Sequence, residues 1–96
     1  MEVLLGQSAL DDLREIKAYY AEVGAPQVGD EVVADIFRKV NRLVDHPMFG
    51  RIVPEFETNN IREVICPPYR VVYTVEASTL ILIRVWRSER PLLLPS

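Results

Sequence analysis

Three segments rich in β-branched and aromatic residues fill the last third of the sequence. They read IREVIC at 61–66, YRVVYTVE at 69–76 and TLILIRVWR at 79–87. This composition is typical of strands whose side chains pack on a pleated, partly buried surface. Because only a short link around residues 76–78 joins the last two segments, we expect them to form an antiparallel hairpin.

Two helical patterns precede these strands, after a short apolar strand, EVLL, at residues 2–5. In each pattern, apolar residues recur three or four positions apart, as on one face of an amphipathic helix. We expect Ser8 to cap the first helix and Gly24 to end it. Pro26 fits the first turn of the second helix, and Pro47 ends that helix. Because the link between the helices is so short, they must fold back as an antiparallel hairpin.

This order of elements predicts an α+β fold, with residues 1–96 forming one domain. In that fold, an N-terminal strand and an antiparallel helical hairpin pack on one face of a twisted, mainly antiparallel β-sheet.

Apolar and polar residues alternate poorly along the last predicted strand. Leu80 and Leu82 lie on one face, whereas Ile81, Ile83 and Val85 lie on the other. Helices can cover only one face of the sheet in a chain of this length. We therefore expect the second face to expose aliphatic side chains among arginines, which would mark an interaction surface.

The strand arginines admit two interpretations. Arg70 and Arg84 could pair with local carboxylates such as Glu63 or Glu76, with their aliphatic stems covering the sheet. Alternatively, a guanidinium held on a rigid strand could meet an anionic group or a partner's carboxylate. Trp86 is open to both a core-edge role and a role as an interface anchor.

The composition argues against several classes of function. A formal net charge of −3 disfavours a general nucleic-acid binder, and we expect no direct sequence-specific contact with nucleic acid. The single cysteine, Cys66, permits no intrachain disulfide and is expected to be a buried thiol. The single histidine, His46, is expected to cap a helix end, and no spaced ligand set predicts a metal or another cofactor.

Other motifs are missing from the sequence. No serine lies in a nucleophile motif with a histidine, and the four glycines are scattered rather than grouped in a phosphate loop. No apolar run approaches the roughly 20 residues of a membrane span, and the acidic N-terminus does not suit a signal peptide. We therefore expect a cytoplasmic protein without a membrane partner.

Five stretches, taken in order, share the pattern of one known superfamily. They are ALDDLREIKAYYAEVG, VGDEVVADIFRKVNRLVDHP, GRIVPEF, IREVICPPYRVVYTV and LILIRVWRSERPL. The most specific motifs are P-x-x-G-R-x-x-P-E (47–55), I-R-E (61–63), Y-R-V-x-Y (69–73) and V-x-R-x-x-R (85–90). Together, and in this order, they make the chain resemble the RelE/ParE toxin superfamily over essentially its whole length.

The resemblance implies two N-terminal helices packed on a twisted antiparallel sheet. It also implies the toxin of a type II toxin–antitoxin pair, neutralised by a cognate antitoxin whose disordered segment folds across the toxin. The exposed apolar sheet face expected above would be a landing site for that segment.

The two branches of the superfamily differ in activity. RelE-like members are ribosome-dependent endoribonucleases that carry lysines before the Y-R-x-x-Y strand, an arginine after the last strand and a terminal tyrosine or nearby histidine. The lysine positions here hold Ile61 and Glu63, the arginine position holds Ser88, and the tyrosine position falls near Leu94. This set supplies few groups for holding a phosphate or transferring protons. The sequence therefore resembles more closely the ParE branch, which is associated with poisoning DNA gyrase.

The ParE-like assignment implies no catalytic residue and inhibition of DNA gyrase, or a related type II topoisomerase, by binding. One alternative is a RelE-like ribosome-dependent mRNA endoribonuclease with an atypical site centred on Arg70 and Arg87. Another is an inactive module that binds the antitoxin. The residues expected to contact the target or the antitoxin are Arg51, Arg62, Arg70, Leu80, Leu82, Arg84, Trp86, Arg87 and Arg90.

Overall fold

The computed structural model describes residues 1–56, 58 and 60–88. Its elements, in chain order, are β1 (Glu2–Leu5), α1 (Gln7–Glu22), α2 (Pro26–Asp45), β2 (Arg51–Ile52), β3 (Ile61–Cys66), β4 (Tyr69–Glu76) and β5 (Thr79–Arg87). The three long strands have the bounds expected from their composition. The two-residue strand β2 was not predicted, because it is too short to show an alternating pattern.

The five strands form one sheet in the order β1-β5-β4-β3-β2. β1 runs parallel to β5, and the other neighbouring strands are antiparallel. The helical hairpin lies between β1 and the rest of the sheet in sequence, which gives the chain the length it needs for a parallel pairing. The predicted α+β fold, with a helical hairpin on a mainly antiparallel sheet, is confirmed.

Strand pairing fixes the start of the first helix. α1 begins at Gln7, with Gly6 in the capping position, so the prediction that Ser8 caps this helix is wrong. The backbone N–H of Gly6 donates to Leu82 O at 2.9 Å, which extends the β1–β5 ladder to the point where the helix begins. The ladder leaves no residues for a turn, so the helix starts directly after the strand.

The other predicted helix signals are confirmed. Gly24 follows α1 with a φ of +82°, a conformation that glycine adopts without a steric cost. Pro26 is the first residue of α2, which ends at Asp45, two residues before Pro47. His46 is the residue that follows the helix directly and occupies its C-cap position.

The main core lies between the helices and the sheet. Ile36, Val40 and Leu43 of α2 face the sheet, and Cys66 is buried in the same core, where burial raises the pKa of its thiol. Leu80 and Leu82 are also members of this core and have no exposed surface. The expectation that these two leucines contact a partner from an exposed face is therefore contradicted by their position under the helices.

A β-bulge explains the poor alternation along the last strand. Val72 of β4 pairs with Arg84 of β5, but the next residue, Tyr73, pairs with Leu82. Ile83 is therefore an extra residue, and after it the side chains change faces. For this reason Val85 joins the helix-side core together with Leu82. The sequence suggested two apolar faces. In the structure, Leu80, Leu82 and Val85 all lie on the helix side, because the bulge shifts the register of the strand.

The second face of the sheet is not bare. Val53, in the loop after β2, lies on Val72 at the centre of this face, and both are fully buried. Phe56, Ile83 and Trp86 pack around this pair. The expectation of a broad exposed sheet face is wrong, because the chain's own loop covers its centre.

Candidate functional site

A buried ion-pair network surrounds Arg70 on the sheet face opposite the helices. Arg70 is 6% exposed, and its Nε donates to Glu63 Oε1 at 2.7 Å. Its Nη1 and Nη2 donate to the two carboxylate oxygens of Glu55, each at 2.7 Å. Glu63, which is 1% exposed, also accepts a 2.6 Å hydrogen bond from Arg51 Nε. We call Arg51, Glu55, Glu63 and Arg70 the Arg70 network.

The sheet and the covering loop assemble this network together. Arg51 and Glu63 are opposite each other in the β2–β3 ladder, and Glu55 follows two residues after the buried Val53. The hydrogen bonds that Arg70 donates to Glu55 raise the pKa of Arg70 above its ordinary value, and they outweigh the lowering effect of burial. The guanidinium is therefore charged, and its charge is neutralised within the chain. Of the two interpretations of Arg70, the structure agrees with the one in which it pairs with a local carboxylate such as Glu63.

Arg84 is engaged by the first helix. Its Nε and Nη2 donate to the two carboxylate oxygens of Asp12 at 2.8 and 2.9 Å, a bidentate pair. The same carboxylate accepts the backbone N–H of Val85 at 2.9 Å. The guanidinium carbon of Arg84 lies 4.2 Å from the centroid of the Trp86 ring, within cation–π range.

Sequence reasoning missed Asp12, although a signal was present. Asp12 lies three residues after Ala9 and four before Ile16, so it falls on the face of α1 that carries buried side chains. A carboxylate on such a face needs a partner, because burying an unpaired charge is costly. That partner is Arg84, which lies too far away in the sequence for any local pattern to connect the two.

Arg62 holds a loop rather than lying free on the surface. Its Nη1 donates to Gly50 O at 2.8 Å. The buried Tyr73 hydroxyl accepts the N–H of Gly50 at 2.9 Å and donates to Pro47 O at 2.7 Å. These contacts attach the segment between α2 and β2 to the sheet at both of its ends. We call residues 47–50 the anchored loop.

A groove, which we call the β5 groove, runs between α1 and the second half of β5. Its volume is about 480 Å³, and Asp12, Tyr19, Tyr69, Trp86 and Arg87 are among the residues that line it. The guanidinium carbon of Arg87 lies 5.9 Å from the centroid of the Tyr69 ring. Within the described residues, the buried Trp86 Nε1 has no hydrogen-bond partner.

The open edge of β5 forms one side of this groove. β1 pairs only with Thr79–Leu82 of β5. In the part of the chain that the structure describes, the segment from Ile83 to Arg87 therefore has no strand on that side. On this edge the Val85 N–H donates to the Asp12 carboxylate in place of a strand partner.

The predicted contact residues thus fall into separate places. Arg51 and Arg70 belong to the Arg70 network, and Arg62 helps to hold the anchored loop in place. The structure brings Arg84, Trp86 and Arg87 together beside the β5 groove. Arg90 lies outside the described residues, as does Leu94.

The groups available for chemistry are few. Among the described residues there is no cluster of three or more histidine, cysteine, aspartate or glutamate side chains that could hold a metal ion.

In residues 1–56, 58 and 60–88, neither helix combines the length and apolar character that crossing a membrane requires.

Comparison with known proteins agrees with this architecture. A chain of the chromosomal ParDE toxin–antitoxin system from P. aeruginosa matches with a TM-score of 0.76 and 24% identity, over 93% of this chain and 97% of that chain. At this identity the likeness shows the fold. A search of functionally curated proteins gives no significant match. The sequence model for the ParE toxin of the type II toxin–antitoxin system parDE matches residues 3–92. The chain therefore belongs to the ParE toxin family of type II toxin–antitoxin systems.

Proposed function

We propose that this chain inhibits DNA gyrase, or a related type II topoisomerase, by binding it in the cytoplasm, and that a cognate antitoxin neutralises it. Family membership supports the toxin role, and toxins of the ParE family are generally not catalytic. The structural match comes from a ParDE system, which supports pairing with an antitoxin.

The observation that carries this proposal is the state of Arg70. A ribonuclease needs cationic groups directed at the position where phosphate charge develops. Arg70 is instead buried and bonded to Glu55 and Glu63, so its charge is compensated before any substrate arrives. Glu63 is buried as well, and its carboxylate is bonded to both Arg51 and Arg70. An arrangement of this kind favours a binding protein over a nuclease.

The β5 groove is our proposed site for the antitoxin. A segment that is disordered before binding gains most where it can use a groove and an open strand edge, since main-chain hydrogen bonds then contribute to affinity. The groove offers apolar contacts on Ile16 and Tyr19, and its polar lining comprises the carboxylates of Asp12 and Glu15 together with Arg87. An apolar segment would complement the apolar part of this lining.

The direct test is a supercoiling assay with purified gyrase holoenzyme and relaxed plasmid. We expect the chain to inhibit supercoiling and to increase linear DNA after the reaction is stopped with detergent, because an inhibited cleavage complex persists. A cell-free translation reaction that contains the same concentration of the chain serves as the control, and we expect it to proceed normally. Unchanged supercoiling at micromolar excess, together with arrested translation, would contradict the proposal.

A further inference from the structure

Large apolar side chains are exposed along the short segment from the anchored loop to β2. Phe49 is 77% exposed and Met48 is 61% exposed, both on the anchored loop, and Ile52 of β2 is 41% exposed. Phe49 is the most exposed large apolar side chain among the described residues, and apolar exposure of this kind can mark an interaction site. We call Met48, Phe49 and Ile52 the Phe49 corner.

The backbone of this corner is held in one position. Tyr73 bonds to both ends of the anchored loop, at Pro47 O and at the N–H of Gly50. A Cβ at Gly50 would lie 2.7 Å from Tyr73 Cε1 and 2.8 Å from Glu63 O, so only glycine fits there. An exposed aromatic residue on a fixed backbone loses little conformational entropy when it binds, which is the property of an interface anchor.

Cationic groups adjoin the corner. Phe49 borders a cavity of about 410 Å³ whose wall includes Leu43 and Val64. Lys39 and Arg42 lie at the same cavity, and the only carboxylate among the residues that line it within the described chain is Asp45. The surroundings of the corner therefore favour an acidic partner surface.

We propose that the Phe49 corner is the surface through which the toxin binds its topoisomerase target. Phe49 enters an apolar pocket on the target, and carboxylates around that pocket meet Lys39 and Arg42. This inference rests on the proposed function, which gives the toxin a folded target and a disordered antitoxin. It adds the surface that contacts the target.

The shape of the corner distinguishes these two partners. A projecting side chain on a fixed backbone complements a pocket that exists before binding, and a folded protein can offer such a pocket. A segment that is disordered before binding has no pocket and fits a groove, such as the one beside β5. The corner and the groove therefore suit different partners.

The test compares Phe49→Ala with Val23→Ala in the gyrase supercoiling assay. Val23 is an apolar residue that is 57% exposed just after α1, so it is at the opposite end of α2 from Phe49. We expect Phe49→Ala to raise the concentration needed for half inhibition at least about tenfold, as for an interface anchor. Val23→Ala should stay within about twofold of the wild type, as is usual for an exposed position. Thermal unfolding of both variants confirms that each is folded.

Each outcome has a defined meaning. If the wild-type chain inhibits gyrase and Phe49→Ala inhibits equally well, the inference is wrong but the proposed function stands. If the wild-type chain does not inhibit gyrase, both are wrong. If Phe49→Ala keeps full inhibition but escapes neutralisation by the antitoxin, or loses self-association detected by sedimentation, the corner binds that other partner and the inference is wrong.

Discussion

The Arg70 network and the Phe49 corner are close in sequence, but the burial of their side chains is the reverse of what polarity predicts. Arg70 and Glu63, which are charged, are almost completely buried, whereas Phe49 is largely exposed. The charged pair can be buried because each charge is bonded to the other and to a further partner. The exposed apolar side chain would gain free energy if a partner covered it. The proposed target surface therefore relies on an apolar side chain, whereas the buried arginine of the network supports the fold.

The largest effect is expected from removing the carboxylate that joins the two halves of the Arg70 network. Glu63→Ala removes one of the two carboxylates bonded to the buried Arg70, and it leaves Arg51 without its bond to β3. We expect a loss of about 3–5 kcal/mol in the free energy of unfolding, typical of a broken buried ion pair. Urea unfolding followed by circular dichroism measures the loss.

A matched control for this variant is Glu31→Ala, on an exposed position of α2. It should change stability by no more than about 0.5 kcal/mol. If Glu63→Ala and Glu31→Ala are equally mild, the network does not support the fold, and the contrast with the Phe49 corner fails.

A smaller loss of stability is expected from Gly50→Ala. Gly50 lies where the anchored loop meets Glu63 of the Arg70 network. The added methyl group would meet Tyr73 and the backbone of Glu63, so either the anchored loop or the sheet must shift. Overpacking of this kind costs about 1–3 kcal/mol. Because the loop also carries Phe49, we expect the variant to inhibit gyrase more weakly than the wild type at equal folded concentration, measured in the supercoiling assay. Loss of stability with full inhibition would show that the position of the loop is unimportant for binding.

The smallest effect is expected from Arg51→Ala. The Arg51 side chain is largely exposed, and Glu63 keeps its bond to Arg70 when Arg51 is removed. A pair with one exposed member contributes about 0.2–1 kcal/mol, and urea unfolding should show a loss in that range. A loss as large as that of Glu63→Ala would mean that Arg51, not Arg70, is the cation that stabilises Glu63.

Sequence patterns predicted the elements of this fold better than its faces. The long strands, the helical hairpin and the glycine and proline residues at the helix ends follow from local composition and spacing, which need no knowledge of tertiary contacts. The bulge at Ile83 cannot be recognised from local composition, since an extra residue in one strand is defined only by its partner. That single residue is why Val85 lies on the helix side and why the second face appeared more apolar in the sequence than it is.

The contacts at the candidate sites also differ in whether the sequence could predict them. The pair between Arg70 and Glu63 could be anticipated, because adjacent strands bring them together across a short turn. The pair between Arg84 and Asp12 could not, because it joins the first helix to the last strand. The Phe49 corner was also not predicted, since apolar residues in a loop give no periodic signal and their exposure depends on how Tyr73 and Arg62 hold the backbone.

The carboxylate of Asp12 does more than neutralise Arg84. By accepting the Val85 N–H, it takes the place that a neighbouring strand would occupy just beyond the end of β1. An incoming strand cannot use that donor without displacing Asp12, so the alignment of any added strand along β5 is restricted from the outset. The same occupied donor removes one of the hydrogen bonds through which two copies of an exposed strand edge could pair.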